Sequence, residues 1–387
     1  MLFVCPYTHS AGIGTARASD ALGFGVTCST ALVAGLRRHG LHVDAITALG
    51  EGGHTAWVAR SLVAFEKAVT STDYDALLAF HAFWPFCADL RRILDDNGRR
   101  CPLVAYTHGS HWDPTDLFRY ERYPALRWAD LGNLLAADRV LVVSRYMRDT
   151  LVDTVRAESE GAGRELAAKI RCVGLPLDLR RIDAAHRDRK DGPATVVFNH
   201  APIAAKQPGL FFDVAAELLQ QTSACILVTR HIGPDSPWSG QVENLCRAYP
   251  GRLILGGDLP IDNYYAALWT SRIQVSTASH ESLGVATLEA MATGNCCLLP
   301  RIGAYPEIAD GDPAVLYEDP DDLLSRLILL AGSADRQASI AAAHTARVRT
   351  LYSPERVAGA VRDVLIEAVN RANGGRQRLD GPAKAAP

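Results

Sequence analysis

The chain has 387 residues, 48% hydrophobic and 21% charged, with a formal net charge of −3. That length predicts two or three domains of ordinary globular composition. The near-neutral balance offers no bulk attraction to nucleic acid, and no apolar run approaches the roughly 18–20 residues a membrane-spanning helix needs.

Residues 2–5 read as a first strand, too short for the apolar core of a secretory signal. A long loop rich in Gly and Ser occupies 8–25. It contains Gly12-Ile13-Gly14, but Arg17 stands where a dinucleotide fingerprint needs its third glycine. A helix is predicted over 26–39, closing at Gly40, and a strand over 42–46. Short apolar runs follow at 76–80, 103–107, 140–144 and 170–173, several separated by helical periodicity. The composition shifts at 180–193, where the charged stretch 183–193 has no apolar period and reads as a linker. The pattern then restarts: strand 195–198, helix 211–220, strands at 225–228, 253–255, 273–275 and 297–299. A last helix is expected from Pro354 to about 368, with Ser353 as N-cap and Pro354 in the first turn. The remainder, 373–387, is rich in Gly, Pro, Ala and charge and predicts disorder.

Alternation of this kind predicts an α/β protein with two doubly wound, Rossmann-like domains whose ligands lie at the carboxyl ends of the strands. The expected division is 1–185 for an N-terminal domain, 192–352 for a C-terminal domain, 353–372 for a helix packing back on the first, and 373–387 for the tail. Nine cysteines, scattered and without a CxxC pair, read as reduced, buried thiols of a cytoplasmic protein.

The most informative stretch runs from His280 to Gly294: HESLGVATLEAMATG. Serine and glycine before Val285 leave unpaired amides at a helix start, a ready anion site. If the helix begins near Gly284, Glu289 lies roughly 7–8 Å along it at about 1.5 Å per residue. Glu281 precedes the helix. Two carboxylates so placed do not form a glycosidase pair, which spans about 5–9.5 Å across one bond. They suit separate polyols on either side of a diphosphate, because ionised carboxylates accept strong hydrogen bonds from hydroxyls. Solvated helix-end glutamates are the plainer alternative.

This segment resembles the donor-site signature of retaining GT-B glycosyltransferases, especially glycosyltransferase family 4. The resemblance rests on Glu281-Ser282-Leu283-Gly284, Glu289-Ala290-Met291-Ala292, Gly294 and Gly303-Ala304-Tyr305-Pro306-Glu307-Ile308. Leu283 replaces the family's usual aromatic residue. The likeness implies the GT-B fold, two Rossmann-like domains facing across a cleft, and a nucleotide-diphosphate sugar as co-substrate with no other cofactor and no metal. It implies that Glu289 holds the ribose and Glu281 the sugar hydroxyls. The amides around Ser282, Leu283 and Gly284, with Lys206, would then stabilise the departing diphosphate.

Asn199-His200-Ala201-Pro202-Ile203-Ala204-Ala205-Lys206 follows the first strand of the second half. Lys206 matches the family's lysine, whereas Ala201 stands where an arginine is expected. A missing cation removes a charge-assisted contact. His200, Arg230 or Arg301 could compensate, Arg230 foremost because it closes the strand 225–228. In the first half, His108 matches a family histidine near the transferred sugar. His111 and Trp112 beside it, with Gly12 and Gly14 of the early loop, are candidate acceptor contacts. The aromatics Phe83, Trp84, Phe86 and Trp112 and the segment 118–123 either line an acceptor pocket or pack a core. Two D-x-D matches, Asp73-Tyr74-Asp75 and Asp319-Pro320-Asp321, read as chance, the second as a helix N-cap.

These expectations add up to a retaining glycosyltransferase acting on a soluble small-molecule acceptor, such as a natural product, aminocyclitol or nucleoside. Two alternatives stay open: a non-catalytic nucleotide-sugar-binding regulator, and a pseudo-glycosyltransferase or epimerase on the same fold. Neither nucleic acid nor a membrane span is expected.

Overall fold

The computed structural model describes residues 1–5, 24–46, 54–82, 87–116, 124–189 and 191–379. The loop with Gly12 and Gly14, the aromatics Phe83, Trp84 and Phe86, and the segment 118–123 lie outside these residues. The chain divides into two compact units. Unit 1 is Met1–Pro176 with Pro354–Pro387, and unit 2 is Leu177–Ser353.

Unit 1 carries strands β1 Leu2–Val4, β2 Asp44–Ile46, β3 Leu77–Ala79, β4 Leu103–Thr107, β5 Arg139–Val142 and β6 Ile170–Cys172. They form one parallel sheet in the order β2-β1-β3-β4-β5-β6. Strands covered by helices on both faces need continuous apolar runs, and every residue of β1, β3 and β4 is buried. The helix Pro354–Leu379 packs on Phe24–Arg38. A Cβ at Gly35 would come within 2.6 Å of the Ala358 Cβ, so the close crossing depends on that glycine. Residues 380–387 lie outside the described residues.

Unit 2 repeats the plan with β7 Thr195–Phe198, β8 Cys225–Val228, β9 Leu253–Leu255, β10 Ile273–Val275, β11 Cys296–Pro300 and β12 Leu316–Tyr317. Their order is β12-β11-β10-β7-β8-β9, again parallel. The region of the composition shift opens with the helix Leu179–Ala184, which takes in the first two residues of the stretch read as a linker. Asp178 caps it by accepting from the Arg181 amide, and Ile182 is buried beneath. A short helix with one apolar anchor is invisible to a periodicity test. The nine cysteines are all free, but Cys172 is exposed, contrary to a wholly buried set. It closes a short strand whose burial falls from Ile170 to Cys172.

In each sheet the chain order reverses beside the first strand, between β1 and β3 and between β7 and β10. Such switch points leave a crevice at the carboxyl ends of the strands. In unit 2 the segments entering it are those after β7 and β10. They carry Lys206 and Glu281.

Candidate active site

The helix Val285–Ala292 starts from Gly284, which adopts left-handed geometry (φ 89°, ψ 54°) and offers no side-chain cap. The first amides of a helix have no intrahelical acceptor, so this end keeps its donors and its positive dipole for an anion. A Cβ at Gly284 would lie 2.9 Å from Tyr305 Cε1. The turn that delivers Tyr305 depends on a second glycine. Gly303 has φ 54°, and a Cβ there would meet the Glu281 carbonyl oxygen at 2.3 Å. Gly303→Ala therefore combines left-handed strain with a backbone clash. We expect it to cost about 2–4 kcal/mol, read as a lowered midpoint in chemical denaturation with a parallel loss of turnover. An unchanged midpoint would contradict the geometry.

Lys206 Nζ donates to Glu281 Oε2 at 2.6 Å and to the His280 carbonyl at 3.2 Å. Both side chains are largely buried, 16% and 15% exposed. The loop bearing Lys206 is tied to the end of β10, where Thr277 Oγ1 donates to the Lys206 carbonyl at 2.8 Å and the Ser279 amide to Ala205 at 2.9 Å. Burial acts to raise the Glu281 pKa, but the Lys206 charge and hydrogen bond bring it below the usual carboxylate value. Glu281 is thus an anion, and it also accepts weakly from Tyr305 at 3.4 Å. Ser282 and Leu283 are buried between this pair and the helix start.

Glu289 is 7% exposed and has separate partners. Its two oxygens accept from Tyr264 at 2.8 Å and Tyr265 at 3.0 Å, adjacent residues of the helix Ile261–Thr270. Burial raises its pKa, offset in part by both phenols and by Arg230. Asn199 donates to Tyr264 Oη at 3.0 Å and to the Ala286 carbonyl at 2.8 Å, so the strand end after β7 is locked onto the helix. Gln274 donates to Asn199 at 3.2 Å and faces His200 Nε2 at 3.2 Å. Sequence reasoning missed Tyr264, Tyr265 and Gln274 because they lie in elements without a motif. Asn199 and Tyr305 stood inside the quoted motifs without an assigned role.

Among the residues that could answer for Ala201, Arg230 sits over the Tyr264 ring, 5.4 Å from its centroid, and its Nε is buried without an acceptor. Arg301 does not fit that part, because it is paired with Glu318 at 2.5 Å. His200 does not fit it either. Burial, then the Lys206 charge, lowers its pKa to about 3, so it is neutral at physiological pH.

That neutrality has a pH consequence. A histidine that binds its proton more weakly in the folded state costs no stability above the unfolded value of 6.5. Stability is lost as pH falls from there toward about 3. His344, lowered to about 4 by burial, acts in the same direction. Denaturation midpoints should therefore decline between pH 6.5 and 4, with a shallower decline in His200→Gln. Identical slopes in the two proteins would contradict the assignment.

In unit 1, His108 follows β4 and is half-buried. Its ring lies 4.6 Å from Phe80, 5.0 Å from Tyr106 and 5.4 Å from His81. His111 is held by Asp130, which accepts from its amide at 2.9 Å and lies 3.6 Å from its Nδ1. Of the two readings of Trp112, acceptor contact and core packing, its surroundings favour packing. The side chain is fully buried, its Nε1 donates to the Arg127 carbonyl at 2.6 Å, and its ring stands edge-on to Trp128. Tryptophan carries enough apolar area to serve as a core wedge under a loop, and that is its place here. Of the two D-x-D matches, Asp319 is an N-cap accepting from the Asp322 amide at 2.9 Å, and Asp73 pairs with Arg99.

Residues 16–160 match the family described as Glycosyltransferase Family 4, and residues 209–363 match the one described as Glycosyl transferase-like. Among solved structures, sucrose-phosphate synthase from Thermosynechococcus elongatus is similar at 15% identity and a TM-score of 0.69, over 96% of this chain and 99% of that one. HepE of Anabaena, solved in complex with UDP and glucose, is similar at 12% identity and a TM-score of 0.64, over 94% and 99%. A putative UDP-N-acetylglucosamine 2-epimerase from Listeria monocytogenes is similar at 12% identity and a TM-score of 0.62, over 96% of each chain.

Proposed function

The chain is a GT-B glycosyltransferase, family 4-like, and from that premise we propose that it transfers a sugar, with retention at the anomeric carbon, from a nucleotide diphosphate to a soluble small-molecule acceptor. One arrangement carries the proposal: an uncapped helix start, the buried Lys206–Glu281 pair before it, and Glu289 held by two phenols within it.

In this reading the amides around Leu283 and Gly284 bind the diphosphate, and Lys206 neutralises its growing charge as the sugar bond breaks. A preorganised cation in a partly dry site needs no reorganisation when that charge appears. Glu281 binds sugar hydroxyls through the acceptor capacity left on its oxygens. Glu289 accepts from the ribose hydroxyls, and Arg230 supplies the second cation that Ala201 lacks. His108 contacts the transferred sugar, with His111 as its neighbour toward the acceptor. The proton of the acceptor leaves with the departing phosphate, which removes the need for a dedicated base. No cofactor enters this scheme, and a cytoplasmic location fits nine free cysteines. HepE's complex with UDP-glucose makes uridine nucleotides the first to test.

A thermal-shift panel of nucleoside diphosphates and their sugars tests the reading. A donor at about 100 times its dissociation constant adds roughly 2.7 kcal/mol of stability. Transfer from that donor, with the anomeric configuration of the product read by NMR, completes the test. Inversion would exclude retention. Donor binding with no transfer across a broad acceptor set would favour the regulator that the Ala201 departure allows.

A further inference from the structure

The amino ends of β3 and β4 lie at the opposite end of the unit 1 sheet from His108. They border a cavity of about 360 Å³. Val69, Pro102, Val369 and Ala372 supply an apolar wall, and Arg99 and Arg100 enter from the loop before β4. An adjoining cavity of about 260 Å³ shares Arg100, Pro102 and Ala372 and adds Arg91, Arg139 and Arg371.

The charges around the smaller cavity do not balance, with four arginines against Asp138 in its lining. Arg139, Arg171 and Arg371 converge on one oxygen, Glu367 Oε1, at 3.1, 3.1 and 3.0 Å. One carboxylate thus answers three guanidiniums. Arg91 is matched by Asp138 and Arg99 by Asp73. Arg100 borders both cavities, and no acid pairs with it among the described residues. Asp75 also borders the larger cavity. Arg139 is 6% exposed, and its Nε has no acceptor. A buried guanidinium donor left open, beside an excess of positive charge, calls for an anion rather than another hydrophobic group.

We propose that this arginine-lined cavity of unit 1 binds a phosphate-bearing ligand, with Arg100 and Arg371 as its movable charged contacts and Arg139 as its fixed floor. The planar fork of arginine fits phosphate oxygens two at a time, and the apolar wall accommodates the carbon skeleton of a small phosphate ester. The site is separate from the helix start of unit 2 and does not depend on the role given to it.

Inorganic phosphate is titrated into the full chain in a sulfate-free buffer with UDP saturating, and the wild type is compared with the Arg100→Ala/Arg371→Ala double variant. Both side chains reach solvent, so the ligand-free melting temperature should stay unchanged. Phosphate should stabilise the wild type and bind the variant about tenfold more weakly per arginine removed. Stabilisation by UDP should be equal in the two. Lys206→Ala should do the reverse, losing the response to UDP and keeping that to phosphate, so the two sites fail independently. Sedimentation with phosphatidylcholine vesicles, with and without phosphatidic acid, separates the sources. Arginine-dependent binding to the acidic vesicles assigns the phosphate to a lipid headgroup, and a response in solution alone assigns it to a soluble ester. Equal phosphate affinities in wild type and variant, with no vesicle binding, would overturn the proposal.

Discussion

Lys206→Ala is expected to lower kcat/KM for the sugar nucleotide by roughly 10²–10³-fold, most of it in kcat. The lysine is a point charge at the start of the donor helix, so its value is greatest when the diphosphate carries the most charge. The same substitution leaves Glu281 largely buried without its cation, 15% exposed and with Tyr305 as a weak donor at 3.4 Å. Burial then acts upward on the Glu281 pKa with its main counterweight gone. The melting temperature should fall along with turnover, because a partly buried carboxylate stripped of its partner is costly. A second protein separates the two effects. Lys206→Met with Glu281→Gln removes both charges and keeps the volume. Its stability should return toward that of the wild type, and its turnover should not. Recovery of turnover in the double variant would show that Lys206 serves the fold alone. Steady-state kinetics with a thermal melt of each protein reads both quantities.

Glu289→Ala is expected to abolish donor binding at concentrations that saturate the wild type, a loss of about 3 kcal/mol or more, roughly a hundredfold or greater. Two losses combine. The ribose loses its charged acceptor, and Tyr264 and Tyr265 lose theirs. Both phenols are buried, so each hydroxyl that loses its carboxylate acceptor adds about 1–3 kcal/mol of destabilisation. Tyr264 also receives Asn199 and lies under Arg230, so its displacement reaches the cation invoked to stand in for Ala201. Glu289→Gln should be intermediate, because the amide keeps one acceptor and the shape but not the charge. Wild-type affinity for UDP in Glu289→Ala would remove Glu289 from the donor site. Isothermal titration at matched protein stability is the appropriate measurement.

The alternation of strand-like and helix-like runs made the two parallel sheets legible, because a parallel strand buried on both faces must be a continuous apolar run. The site helix was legible for a different reason. Gly284 and Gly303 are there because backbone geometry forbids a side chain, and Glu281, Glu289 and Lys206 are charged groups in otherwise apolar surroundings. The supporting polar groups were not legible. Tyr264 and Tyr265 look like ordinary helix aromatics until the Ile261–Thr270 helix is packed beside the Val285–Ala292 helix. Gln274 sits mid-strand in an apolar context, and only the pairing of β10 with β7 reveals why an amide belongs there. For Trp112 the sequence left acceptor contact and core packing open, and the packed structure has it filling the space beneath its loop. These gaps share one cause: a side chain's partners from distant sequence are set by tertiary packing, which no local pattern encodes.

A crystal structure of the protein soaked with UDP tests the central claim most directly. The expected density places the diphosphate on the amides at the start of the Val285–Ala292 helix, Lys206 Nζ within hydrogen-bond distance of a phosphate oxygen, and a Glu289 oxygen bonded to the ribose hydroxyls. UDP bound elsewhere in the chain, or bound there with Glu289 still satisfied by the two tyrosines alone, would contradict it.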